Sequence, residues 1–197
     1  MKPRLVVDTS IACWSAELPG RAPSRDKRWR AECIALMECI LNDGFLLAMS
    51  DELFGEVNDQ LFNGKNPKTR NRAYGQKWIL AMEKSGRIPD LAVPAEHHFR
   101  PTEAVEMTAA MAKDAHLVES ALSSDLVILA RDGPVLNDWI EYCHRDPLPR
   151  VIASHRRIPS IVWADPGIHG HDVVVWLKSS TPVRRSWTIG AQTRHTW

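Results

Sequence analysis

Four short apolar runs constrain this chain more than any other feature. "RLVVDTS" stops at Asp8, "FLLAM" at Ser50, "LVILARDG" at Asp132 and "SIVWADP" at Pro166. The runs are apolar throughout rather than alternating, which suits strands buried on both faces. Segments with helical spacing separate them. Cys33, Leu36, Met37, Ile40 and Leu41 mark one over residues 28–42, and Leu53, Val57 and Leu61 mark another behind a Ser50 N-cap. Strands alternating with helices predict an α/β fold: a three-layer α/β/α sandwich with a central parallel sheet.

Further elements follow from breakers and periodicity. Residues 73–86 read as a helix closed by Gly86, and "DLAVP" as a short strand. Residues 102–124 read as helical with a break near Lys113-Asp114, and "PVLNDWIEYC" as a helix with Pro134 in its first turn. "HDVVVWLKSS" suits a short helix or strand, and "TPVRRSWTIGAQTRHTW" shows little order. A chain of 197 residues fits one domain. The expected domain covers residues 1–165, and residues 166–197 form a basic, Trp-containing extension. Trp78, Trp139 and Trp163 fall in apolar patterns and are expected in the core.

Four acids stand where chemistry could occur. Ligands of an open parallel sheet bind beyond the carboxyl ends of its strands. Asp8 and Asp132 follow two of the strands, Glu56 lies early in the helix after "FLLAM", and Asp114 opens the helix leading to "LVILA". Each has a plainer alternative: a cap for Asp8 or Asp114, a turn for Asp132, a solvated helix face for Glu56. Glu119 reads as solvent-facing and Asp125 as a turn or cap residue at the strand's other end. Gly133 reads as the residue that turns the chain away after Asp132. Gathered together, the four acids would repel one another without a counter-ion. Oxygen donors suit Mg²⁺ or Mn²⁺.

The order and context of these residues resemble the PIN domain, a family of metal-dependent ribonucleases. "LVVDTS", "SDELFGEV" and "KDAHLVESALSSDLVILARDG" carry the resemblance, which spans about residues 4–164. It implies that Asp8, Glu56, Asp114 and Asp132 form a metal-binding quartet, with Ser10 holding the first ligand or a water. The spacing from Ser50 to Leu61 resembles the toxin-type branch. One position departs: the family often carries Thr two residues before the last acid, where this chain has Ala130. The implied activity is an endoribonuclease that cuts single-stranded or looped RNA through metal-activated water. Its setting would be the toxin of a toxin–antitoxin pair, or else RNA processing. Ala130 leaves open a PIN-like RNA-binding or assembly module that cuts weakly or not at all. A haloacid-dehalogenase site, a dinucleotide fingerprint and a P-loop are all missing from the sequence.

Charge supports a polyanionic partner only locally. Net charge is +1 overall, but residues 150–197 carry +5 and residues 1–149 carry −4. "RAPSRDKRWR" and "GKNPKTRNR" read as basic loops beside the acidic edge. Arg25, Arg28, Lys65, Lys68, Arg70 and Arg72 are candidate phosphate contacts, and Trp29 is a candidate for stacking a base. An antitoxin protein and a second copy of the chain are further candidate partners. The four cysteines lack metal or redox spacing and suggest a reducing cytoplasm. No signal peptide or membrane-spanning run is expected.

Overall fold

The computed structural model describes residues 2–18, 21–63, 72–99, 107–144, 154–179 and 184–195. Within them lie four parallel strands: β1 (Arg4–Val7), β2 (Leu46–Leu47), β3 (Val127–Leu129) and β4 (Val162–Ala164). Their order is β2-β1-β3-β4. Arg4 registers with Leu46, Val6 with Ile128, and Val127 with Val162. Leu5, Val6, Leu47, Ile128, Leu129, Trp163 and Ala164 are fully buried, as strands covered on both faces must be.

Nine α-helices accompany the sheet among the described residues: α1 (Thr9–Trp14), α2 (Ser24–Asn42), α3 (Asp51–Val57), α4 (Ala73–Lys84), α5 (Ala109–Lys113), α6 (Ala115–Leu122), α7 (Gly133–His144), α8 (Pro166–His169) and α9 (Asp172–Lys178). Helices α1, α4, α8 and α9 gather around α2, while α6 packs on β1 and β3 and α5 packs on α6 and α7. The fold is α/β with an all-parallel sheet, consistent with a three-layer sandwich. Because every strand is parallel, all four carboxyl ends share one edge. Trp78, Trp139 and Trp163 are in the core as expected, and Cys33 and Cys39 are buried there as well. No helix among the described residues is long and apolar enough to cross a membrane.

Several elements differ from expectation for identifiable reasons. Strand β3 begins at Val127, because Leu126 sits at φ 62, a left-handed conformation that cannot join a strand. "DLAVP" contributes only a parallel bridge, Met49 to Asp90. Pro89 precedes it and has no N–H to donate to a ladder. The "RAPSRDKRWR" stretch is not all loop. Helix α2 starts at Ser24 and carries Arg25, Lys27, Arg28 and Arg30 in its first two turns, where Asp26 complements the helix dipole. Gly133 is the first residue of α7 rather than a left-handed turn. The part of residues 102–124 before Met107 lies outside the described residues.

Helix α3 does not continue as a regular α-helix. Asn58–Phe62 form a π-turn, with Asn63 N donating to Asn58 O at 2.9 Å. The wider turn frees the carbonyls of Gln60 and Leu61. Arg72 donates to the first, and Gln76 Nε2 to the second at 2.6 Å. The π-turn thereby fixes Arg72 at the mouth of the sheet edge.

In the C-terminal extension, Asp172–Lys178 take the helical one of the two expected forms, whereas residues 184–195 are structured, contrary to the sequence reading. Thr188 bridges Val162 antiparallel, and Ile189 N donates to Ile161 O at 2.9 Å, so the extension covers the β4 edge. Trp187 packs on His169 and Trp176, with ring centroids at 4.6 and 5.6 Å. Asn137 bonds the His195 backbone twice, at 2.9 and 2.8 Å. Burial of so much indole surface explains how a segment without periodicity becomes structured. Burial also holds the His169 imidazole down at about 4, so it stays neutral. Trp197 lies outside the described residues.

Candidate active site

Two strand ends are stitched together at the acidic edge. Asp8 follows β1 and is the N-cap of α1, yet its carboxylate makes no capping bond. It accepts from the Ser10 hydroxyl instead. Ser10 Oγ accepts in turn from the Arg131 amide at 2.9 Å, and Asp8 N donates to Leu129 O at 2.9 Å. Asp132 lies beyond β3 and accepts from Val135 N at 3.3 Å, so it does cap α7. Asp114 occupies the junction of α5 and α6 without a side-chain cap bond. Glu56 stands on the second turn of α3, whose start Ser50 caps by accepting from Leu53 N.

All four carboxylates line one cleft of ≈ 210 Å³. Thr9, Ser10, Cys13, Trp14, Gln60, Arg72 and Lys113 complete its walls. The plainer roles considered for these residues therefore separate. Asp132 both caps and faces the cleft, whereas Asp8 and Asp114 leave their carboxylates uncommitted to caps.

The cleft's charges are unequally compensated. Burial, with the nearby charges of Glu56 and Asp114, pushes the Asp8 carboxyl up to about 7 despite the Ser10 bond. Burial also raises Asp114; Lys113 opposes this at 3.3 Å, and Asp132 and Glu56 add to it. Contact with His116 holds Glu56 low against the effect of burial. Glu56 Oε2 and His116 Nε2 lie 3.2 Å apart but lack hydrogen-bond geometry, so the contact is an ion pair. His116 is raised in turn: burial lowers it, but Glu56, the Lys113 carbonyl and Asp114 together outweigh that.

The donors fit a hard divalent cation: every candidate ligand offers oxygen, and buried Asp8 carries a charge cost that such a cation would relieve. Among the described residues no three His, Cys, Asp or Glu side chains are placed to hold a metal ion together as they stand. Mg²⁺ needs no such closed cage, since it keeps several waters and takes one or two carboxylates.

The buried charge has a consequence for stability without metal. Asp8 goes from 3.8 to about 7 on folding. The folded state thus binds its proton first, and the associated stability is complete below about 4 and lost as pH rises through about 7. Above pH 7, Asp8→Asn removes the penalty. In EDTA at pH 8 the variant is expected to be more stable than the parent by about 1–3 kcal/mol, with little difference at pH 4. Urea unfolding at the two pH values measures this. A variant less stable at pH 8 would show that Asp8 carries no such strain.

The basic candidates are only partly gathered here. Arg72 lines the cleft. Arg25 and Arg28 are exposed on α2 and do not. Trp29 connects Arg25 to the cleft indirectly, because Arg25 lies over its ring, which meets Trp14 edge-on at 5.4 Å, and Trp14 is a cleft wall. The Trp29 ring also carries the guanidinium groups of Arg131 at 3.7 Å and Arg25 at 4.6 Å, so a nucleobase would compete with them. Lys65, Lys68 and Arg70 lie outside the described residues.

Several residues at the site were not legible beforehand. Lys113 and His116 flank Asp114 in "KDAH", and their i, i+3 spacing is the signal that could have found them. Arg131 stands between the β3 end and Asp132, with its side chain 8% exposed, and pairs with fully buried Asp165 at 3.8 Å. Glu119 is a correction: it is not solvated but buried, accepting from Phe99 N at 2.8 Å and pairing with His98 at 3.0 Å. Asp125 sits at the opposite end of the sheet as expected, accepting from Arg4 N at 2.7 Å. Set against family models, curated proteins and solved structures, the chain matches none.

Proposed function

We propose that the chain is a Mg²⁺- or Mn²⁺-dependent endoribonuclease of the PIN type, cutting single-stranded or looped RNA. One observation carries the reading: Asp8, Glu56, Asp114 and Asp132 line a single cleft at the carboxyl edge of a parallel sheet, with Arg72 and Lys113 beside them. Acids that converge from four places in the chain at such cost call for a cation, and the flanking basic side chains suit phosphate. A cation bound there supplies charge neutralisation at a phosphodiester and a more acidic water.

The chain's own residues do the rest. Ser10 holds the Asp8 carboxylate and is held by the Arg131 amide, so one element orients both strand ends. Arg72, anchored on the π-turn, offers a fixed cation for a phosphate oxygen. Asp132 keeps its place through the α7 cap. In this reading the biological setting is the toxin of a toxin–antitoxin pair in the cytoplasm, with an antitoxin segment covering the cleft. RNA processing outside such a pair uses the same chemistry. A homodimer is compatible with either.

A second reading has its own observation. Lys113 pairs Asp114 and His116 pairs Glu56, so two of the four acids already have cationic partners, and Ala130 adds no hydroxyl. A weakly cutting or non-cutting RNA-binding module fits those pairs. Incubating the protein with single-stranded RNA in Mn²⁺ separates the two. Cleavage that EDTA abolishes is expected; binding without Mn²⁺-dependent cleavage would favour the module.

A further inference from the structure

Lys113 occupies an unusual place. It ends α5 directly before Asp114, and its ammonium lies 3.3 Å from Asp114 Oδ1. The Asp114 side chain is 9% exposed, but that of Lys113 is 70% exposed. The charge is thus applied to a buried acid from a long stem that remains in solvent, where another rotamer would swing it away.

The cavities give that swing a direction. The acidic cleft adjoins two larger depressions of ≈ 300 and ≈ 650 Å³. Lys113 lines all three. Glu56 and Gln60 connect the cleft to the larger depression, and His116 is shared by the two depressions. A chain-like ligand leaving the cleft on this side passes Lys113.

We infer that Lys113 is a resident counter-ion of the acidic cleft, balancing Asp114 until a divalent cation binds and then turning to a phosphate of the polyanionic strand. The inference rests on the metal-site reading above. A divalent cation on the Asp114 carboxylate repels the ammonium 3.3 Å from Oδ1, so metal uptake favours its displacement. The displaced ammonium meets a strand carrying one negative charge per phosphodiester at the junction of the three cavities. Lys113 therefore weakens metal binding and strengthens binding of the strand, two effects of opposite sign from one side chain.

Lys113→Met tests both, with Lys113→Arg as the charge-conserving variant. Lys178→Met, exposed on α9 away from the cleft, controls for net charge. Free Mn²⁺ is followed by electron paramagnetic resonance during titration. Lys113→Met should bind Mn²⁺ about fivefold more tightly than the parent, because it has no unit-charge ammonium–carboxylate pair to break in a water-like medium. Lys113→Arg and Lys178→Met should match the parent. With Mn²⁺ saturating each protein, Lys113→Met should bind a labelled single-stranded RNA with a hydrolysis-resistant phosphorothioate backbone about three- to fivefold more weakly by anisotropy. Unchanged or weaker Mn²⁺ affinity overturns the counter-ion role, and unchanged RNA affinity overturns the phosphate role. Uptake by the variant where the parent takes up none supports the inference. If neither protein takes up Mn²⁺, the metal-site reading itself fails.

Discussion

Asp132→Asn is expected to keep its fold and to lose roughly a hundredfold in Mn²⁺-dependent RNA cleavage, since even removing groups that support metal ligands costs 10–100-fold. The physical argument is a separation of two roles in one side chain. Asp132 accepts from Val135 N and so caps α7, and asparagine retains an acceptor oxygen for that bond. It cannot retain the charge that the cleft would present to a cation. Asp125→Asn supplies the contrast from the same stretch of chain. Asp125 pairs with Arg4 at 3.5 Å, with both side chains at least 40% exposed, at the opposite end of the sheet. An exposed pair of that kind contributes about 1 kcal/mol or less, so the cleavage rate should stay within about twofold. Initial rates on one RNA substrate measure both variants. Equal loss in the two would mean that the acidic edge is not where chemistry occurs.

Arg131→Met is expected to cost about 3 kcal/mol of stability at pH 8 and distinctly less at pH 5. Methionine keeps much of the apolar stem, so the loss reports the charge. Asp165 is fully buried, accepts from Gly167 N at 2.5 Å, and has Arg131 Nη1 at 3.8 Å. That separation is loose for an ion pair. Burial accordingly wins, and the Asp165 carboxyl is pushed up to about 6 even with Arg131 beside it. The folded pKa thus lies above the unfolded 3.8, so this group's stability is complete below about 4 and lost as pH rises through about 6. Removing the guanidinium raises the folded value further and extends the loss to higher pH. Trp29 simultaneously loses the nearer of the two guanidinium groups over its ring. Urea unfolding at pH 5 and pH 8 gives the comparison. A deficit of the same size at both would assign it to packing and not to the Asp165 charge.

Much of the site was readable because its signals are local. An acid directly after an apolar run, or at the junction of two helical patterns, can be placed on the sheet's carboxyl edge from spacing alone. Asp8, Asp114 and Asp132 were placed that way, and Glu56 by its position in the helix after β2. The Ser50 cap and the buried Trp78, Trp139 and Trp163 follow equally from neighbours in sequence. Glu119 shows where this stops. Its flanking residues suggested a polar helix face, but residues 97–99 fold over α6 and bury it behind His98 and the Phe99 amide.

The sequence by itself therefore determined the alternation of buried strands with helices, the parallel sheet that follows, and the edge at which the acids collect. These depend on periodicity and caps, which act over a few residues. Only the tertiary structure decided that Arg131 reaches Asp165, that Lys113 and His116 take up two of the acids, and that Trp187 and Ile189 pin the extension on β4. Charge compensation and burial depend on which distant surfaces meet, and no periodicity in the chain records that.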